Sequence, residues 1–228
     1  MNGAALREAR MTHGWTQAEA AAHLGVTQAY LSMMERGERA VPHQFAGRAV
    51  KRMKARATAL PFYRTARSRY DSDFLKAELG RLGYPGFAYL RGSPRMNPAE
   101  LLMSALNEPD LDARVTEALP WVLLAYPDLD WEWLTGQARL KDRQNRLGYT
   151  VELARQAAEQ RGESGLAGEI ARRLGMLEPS RLANEGMYCH DSMTQAERSW
   201  LRQRRPQAAE HWNLLTDLTV EQLAYAAS

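Results

Sequence analysis

The sequence predicts an all-α protein, with a small N-terminal helical domain followed by a larger helical C-terminal domain. Three observations indicate this fold class. Apolar residues recur at helical spacing along most of the 228 residues. Capping signals, in which a threonine or asparagine precedes a glutamate or glutamine by three positions, stand before several of these stretches. Glycine and proline interrupt the stretches, as expected at helix ends.

The N-terminal helices are short and closely spaced. Leu6–Met11 predicts a first helix, and Gln17–Leu24 a second, which the capping box Thr16-Gln-Ala-Glu19 begins and Gly25 ends. Gln28–Arg36 predicts a third. Two helices of about eight residues joined by a short turn containing glycine form a helix-turn-helix. We therefore expect such a unit within residues 1–60.

Residues 15–42 resemble the lambdoid-phage repressor and Cro family of XRE-type regulators. The matching positions are Gln17, Ala20 or Ala21, the turn Leu24-Gly25-Val26, Thr27-Gln28, Leu31, Glu35 and Gly37. Together with the preceding first helix, the resemblance covers about the first 40 of the 228 residues and implies a DNA-binding domain. It also implies that the second helix of the unit enters the major groove with its N-terminal end.

The resemblance assigns DNA contacts residue by residue. The expected base-facing residues are Gln28, Ala29, Ser32 and Met33. Among these, an amide such as that of Gln28 pairs with adenine, whereas Ala29 and Met33 offer only apolar contacts. The expected phosphate-contacting residues are Gln17, Thr27, Tyr30, Arg36, Arg39 and Arg10. Arg36 departs from the family, which often has asparagine there.

A single set of base contacts supplies little specificity, and family members dimerise on two half-sites about 34 Å apart. We therefore expect a homodimer that binds an approximately palindromic operator in double-stranded DNA.

Charge is distributed unevenly along the chain. Residues 1–70 contain 12 Lys and Arg against 4 Asp and Glu, a net charge of +8. Residues 71–228 contain 18 against 23, a net charge of −5. The first third of the chain is therefore expected to attract a polyanion, although a solvated basic linker would give the same composition.

Residues 61–96 are interpreted as a basic connector rich in glycine and proline. Before it, Phe45, Ala49, Met53 and Ala57 fall at helical spacing, which predicts a further helix that Pro61 ends and a five-helix N-terminal domain. Residues 64–70 are either an arm along the DNA backbone or a solvated linker. The Gly-Pro turns that follow leave room for one or two short strands around residues 87–90.

Residues 97–228 are predicted to be helical throughout. Asn97-Pro98-Ala99-Glu100 begins the first helix with a cap and a first-turn proline. Pro120 is expected to kink or split the second. The expected helices are 98–106, 111–126, one that begins at 129–133, 149–160, 166–174, 195–204, 207–215 and 220–226.

Tryptophan is concentrated in this C-terminal domain. Core packing is the ordinary role of such residues, but tryptophan is also favoured at protein interfaces. Trp121, Trp131 and Trp133 are therefore candidate partner contacts. Residues 118–154 are also similar to helix-turn-helix regulators paired with nucleotidyltransferase-like toxins of the abortive-infection type. The similarity rests on Leu119-Pro120-Trp121, residues 126–131 and residues 144–148.

That second resemblance implies an antitoxin, whose basic domain represses the shared operon and whose acidic domain binds the toxin. A ligand-sensing transcriptional regulator, with a small-molecule site in the C-terminal domain, is the alternative. The sequence does not distinguish dimerisation from partner binding as the role of this domain.

Groups suited to catalysis are few. Cys189-His190-Asp191 offers too few ligands for zinc, which takes about four, and the Asp128, Asp130 and Glu132 carboxylates suit a helix start. No phosphate loop or known catalytic motif is present. We therefore expect no enzyme activity, catalytic residue, metal or cofactor, and a buried or idle thiol at Cys189.

No apolar run approaches the roughly 20 residues that span a bilayer, and no signal peptide precedes the first helix. The single cysteine excludes an internal disulfide framework. We expect a soluble, cytoplasmic protein without membrane association.

Overall fold

The computed structural model describes residues 1–63 and 70–226 and confirms the all-α class. These residues form twelve α-helices and one two-stranded parallel sheet. The helices are α1 Gly3–Thr12, α2 Gln17–Leu24, α3 Gln28–Glu35, α4 His43–Met53, α5 Ser72–Leu82, α6 Pro98–Asn107, α7 Ala113–Ala125, α8 Trp131–Leu140, α9 Gln144–Gln160, α10 Ser164–Leu177, α11 Gln195–Arg204 and α12 Gln207–His211. The strands are β1 Gly186–Met187 and β2 Leu214–Leu215, paired in the register Gly186 to Leu214.

The chain folds into two compact units that are not continuous in sequence. The first comprises the described residues of Met1–Arg67 together with Lys76–Glu100, and the second those of Ser68–Leu75 together with Leu101–Ser228. Helices α5 and α6 each contribute residues to both units. The three-part division expected from the sequence stays a prediction.

Helices α1 to α4 enclose a small apolar core in the first unit. Its fully buried members include Leu6, Leu24, Leu31, Met34 and Phe45. Residues 1–60 contain these four α-helices and the 3₁₀ turn Ala57–Ala59, and the fourth helix does not continue to Pro61 as expected. Because Lys54 adopts a left-handed conformation with φ 51°, α4 ends before Ala57, which begins a 3₁₀ turn instead.

In its described residues, the segment interpreted as a connector, residues 61–96, belongs to the first unit except for residues 68–75, which belong to the second. Helix α5 was not predicted from the sequence, and a 3₁₀ turn at Pro85–Phe87 occupies the place where strands were expected. This turn buries Phe87. Of the expected arm, residues 64–69 lie outside the described residues, and Tyr70 is buried.

Helix α9 is central to the second unit and packs against α7 and α10. Its Arg146 is buried and donates hydrogen bonds to the carbonyl oxygens of Leu106, Glu108 and Met187 and to the Asp191 carboxylate, at 2.6–3.1 Å. One side chain thus joins three chain segments of this unit.

Several helix ends in the second unit differ from the predicted ones. Pro120 lies inside α7 without splitting it. Helix α12 ends at His211, because Trp212 packs against Gly148 and Asn213 turns left-handed before β2. The expected last helix is a 3₁₀ turn, Val220–Gln222.

No helix within residues 1–63 and 70–226 is both long and apolar enough to cross a membrane.

Candidate nucleic-acid interface

Helix α2 is fixed at both ends by local interactions. The Thr16 hydroxyl accepts the Glu19 amide, and the Glu19 carboxylate accepts the Thr16 amide in return at 2.8 Å. At the other end Gly25 has φ 71°, a conformation that strains a residue with a Cβ. These two features direct the chain into the turn before α3.

The N-terminal end of α3 presents the expected base-facing residues. Thr27 caps the helix by accepting the Tyr30 amide at 3.2 Å. Gln28 and Ala29 are exposed, and Ser32 and Met33, one turn further, are half-buried. Leu31, on the opposite side of the helix, is fully buried in the core. The helix therefore presents a short surface with both polar and apolar side chains, while its opposite side is fixed in the core.

A buried carboxylate joins three helices of this unit. Glu35 accepts two hydrogen bonds from the Arg10 guanidinium, at 2.6 and 3.1 Å, and a third from the Gln17 amide at 2.9 Å. Arg10 also donates to the Trp15 carbonyl. Because Arg10 lies on α1, Gln17 on α2 and Glu35 on α3, the network sets the relative position of these helices.

The electrostatics of Glu35 reflect this network. Burial acts to raise its pKa, but the hydrogen bonds from Arg10 and Gln17 and the Arg10 charge outweigh burial and hold it below the ordinary value. The same pairing raises the pKa of Arg10. Glu35 is therefore a structural anion.

The network changes the roles expected for two residues. Arg10 was expected at a DNA phosphate, but its side chain is nearly buried and its guanidinium is occupied by Glu35. Gln17 has its amide nitrogen on Glu35, so the phosphate contact expected of it would have to come from the backbone amides of the first turn of α2. The role of Glu35 was not predicted from the sequence. The signal that could have indicated it is an acidic residue placed one helical turn after the core residue Leu31.

The basic side chains after α3 are exposed. Arg36 pairs with Glu38, at 2.6 and 2.9 Å, and donates to the Ser32 hydroxyl at 2.7 Å. The Arg39 guanidinium lies over the Tyr30 ring, 5.8 Å from its centroid. Arg39 makes no ion pair among the described residues, whereas the Arg36 guanidinium is paired with Glu38.

The tryptophans of the second unit differ in exposure. Trp131 is buried beneath the Arg173 guanidinium, which favours a role in core packing over the expected partner contact. Trp121 and Trp133 are half-buried. Trp200, which was not among the candidates, is 46% exposed and stacks with Arg204 at 4.6 Å.

Cys189 lies in the interior of the second unit. Burial raises the pKa of its thiol to about 12, so it is not a thiolate at neutral pH. No group of three His, Cys, Asp or Glu side chains suited to a metal ion occurs among the described residues.

Comparison with known proteins agrees with this geometry. A family model described as Helix-turn-helix matches residues 6–43, which include most of α1, all of α2 and α3, and the first residue of α4. The match supports a DNA-binding transcription regulator of the XRE type. No curated protein and no solved structure matches the chain significantly.

Proposed function

We propose that the protein is a sequence-specific transcriptional repressor that binds a palindromic operator as a homodimer. The observation that carries this proposal is the N-terminal end of α3, where Gln28 and Ala29 are exposed on a helix held by Thr27 and Leu31. Such an end fits the major groove, where base edges differ between all four base pairs. A regulator of this kind acts in the cytoplasm by excluding polymerase from its operator.

Selection from random duplex DNA tests this proposal. The expected result is an inverted repeat with half-sites about 34 Å apart, bound by two copies of the chain. Bound sequences without an inverted repeat, or binding by a single copy, would contradict the dimeric repressor.

We further propose that the repressor controls its own operon as the antitoxin of a toxin-antitoxin pair. The net charge of −5 over residues 71–228 makes this part of the chain, taken as a whole, a poor match for DNA phosphates and suits a protein partner. Trp200 with its stacked Arg204 combines two of the residue types enriched at interface hot spots. The C-terminal domain has no catalytic role in this proposal.

Purification of the tagged chain from its native host tests the antitoxin role. The expected result is a co-purified enzyme that is inactive in the complex, together with repression of a reporter under the chain's own promoter. Trp200→Ala should weaken the complex. Tyr89→Ala, at an exposed aromatic residue of the first unit, is the matched control. A homodimer purified alone would contradict the antitoxin role and leave the repressor proposal intact.

A cleft in the second unit favours ligand sensing as the second candidate function. It has a volume of about 600 Å³ and is lined by residues that include Tyr149, Glu152, His211 and Trp212. This volume lies in the range of small-molecule sites. Loss of operator binding upon addition of a host metabolite extract, without any partner protein, would favour this candidate.

A further inference from the structure

A basic cleft lies where residues 91–95 cross the start of α4. Its volume is about 550 Å³, and it is lined by His43 and Gln44 of α4, Tyr63, Arg81 of α5, and Arg91 and Arg95 of the crossing segment. All of these residues belong to the first unit. None of the lining residues is acidic.

The crossing segment is held firmly against its surroundings. The buried Glu78 accepts the amides of Arg95 at 2.9 Å and Met96 at 3.3 Å, and it pairs with Arg81. A Cβ on Gly47 would overlap the Pro94 carbonyl oxygen, so this segment rests directly on the backbone of α4. The cleft is therefore a fixed feature of the first unit.

Two arginines of the cleft keep their charge uncompensated. Arg81 is paired with Glu78. Arg91 and Arg95 are exposed and make no ion pair within residues 1–63 and 70–226. The exposed Arg48, Lys51 and Arg52 of α4 line a neighbouring basic depression with Ser93, which adds positive potential.

The cleft also offers hydrogen-bond donors and a flat surface. The His43 ring stacks on Tyr63, with centroids 4.3 Å apart, and His43 Nδ1 is buried without a partner among the described residues. Arginine binds phosphate oxygens through two parallel N–H groups. Because no carboxylate lines the cleft, these groups of Arg91 and Arg95 are available to a ligand.

We propose that this basic cleft binds a small molecule that carries phosphate groups, with Arg91 and Arg95 as the principal phosphate ligands. The concave shape and the volume suit a nucleotide-sized ligand, because small-molecule sites fall between about 300 and 1,000 Å³. The site is separate from the base-facing end of α3 and from the cleft of the second unit. It does not depend on the repressor proposal.

Isothermal titration of the full chain with inorganic pyrophosphate and with ADP tests the proposal. Saturable binding of one ligand per chain is expected. Arg91→Ala and Arg95→Ala should each weaken binding about tenfold, because each removes charge-assisted hydrogen bonds. Arg172→Ala, at an exposed arginine of the second unit, is the matched control and should leave binding unchanged. Thermal unfolding of each variant verifies that the fold is retained.

Two results would overturn the proposal. One is that neither pyrophosphate nor ADP shows saturable binding, and the other is that a probe binds but neither arginine substitution weakens its binding. If neither probe binds and Arg91→Ala and Arg95→Ala lower the affinity for random duplex DNA, the two arginines are assigned to the phosphates of DNA instead.

Discussion

At the scale of single residues, the Glu35 carboxylate is a buried charge that holds helices α1, α2 and α3 of the DNA-binding unit together. Its side chain is almost completely buried and accepts three hydrogen bonds from two other helices. Removing one partner of a buried ion pair leaves the other charge without compensation, which costs far more than the loss of a surface pair.

Glu35→Gln is therefore expected to lower the free energy of unfolding by about 3 kcal/mol at neutral pH. Because the pKa of Glu35 is lowered in the folded state, its stabilisation is present above the unfolded value of 4.5 and is lost as the pH falls through the lower folded value. The deficit of the variant should thus shrink in acid.

Urea denaturation at neutral pH and well below pH 4.5 measures this difference. Glu8→Gln, at an exposed residue of α1 without an ion pair in the described part of the chain, is the control. A deficit that stays constant over this pH range would contradict the assignment of a buried charged Glu35.

Gln28 carries the sequence preference in our interpretation. Gln28→Ala should cost about 1–3 kcal/mol on the selected operator and little on random DNA, because the amide contacts a base edge. Equal losses on the two DNAs in a filter-binding or anisotropy titration would exclude Gln28 from base reading. Gln160→Ala, at the exposed end of α9, serves as the control.

At the scale of elements, helix α9 and the end of α12 pack closely against each other in the second unit. A Cβ on Gly148 would overlap the Trp212 ring, and Trp212 is itself fully buried. The helices approach so closely that only glycine fits between them.

Gly148→Ala is expected to destabilise the protein by about 1–3 kcal/mol through overpacking. Gly168→Ala, on α10, provides the contrast, because a Cβ there meets nothing within 4 Å. It should stabilise the helix by up to about 1 kcal/mol. Opposite shifts of the two unfolding midpoints would establish that space, and not helix propensity, decides the first variant. Equal shifts would refute this.

The elements also show which features a sequence can predict. The capping boxes at Thr16 and Thr194 were predictable and form as expected, because the interacting groups are three residues apart. The end of α12 was not predictable, because it depends on Gly148 in a helix far away in the sequence and on the pairing of Leu214 with Gly186. At the interface, exposure of Gln28 follows from local periodicity. The burial of Arg10 depends on Glu35, 25 positions away.

At the scale of the whole molecule, the asymmetry of charge governs how DNA is approached. The first 70 residues carry a net charge of +8 and the remainder −5. DNA binding releases counterions from the phosphates, so its strength depends on salt.

Operator affinity is expected to fall by roughly 10³–10⁵ between 50 and 200 mM salt, as for six to ten phosphate contacts. Arg39→Ala should reduce the slope by about one contact and weaken operator and random DNA alike. Arg172→Ala, in the second unit, should leave the slope unchanged. A weak dependence on salt in the unaltered protein would argue against backbone contacts of this number.

The discontinuity of the first unit has a practical consequence for protein engineering. Asn97 donates to the carbonyl oxygens of Thr58 and Leu60, both at 2.8 Å. A fragment cut after residue 60 would leave these acceptors unsatisfied. It would also lose Glu78, whose carboxylate accepts the backbone amides of Arg95 and Met96. The DNA-binding unit therefore cannot be transferred as a short N-terminal fragment. A chimeric protein that uses it must include the chain through Glu100, together with the intervening residues that belong to the other unit.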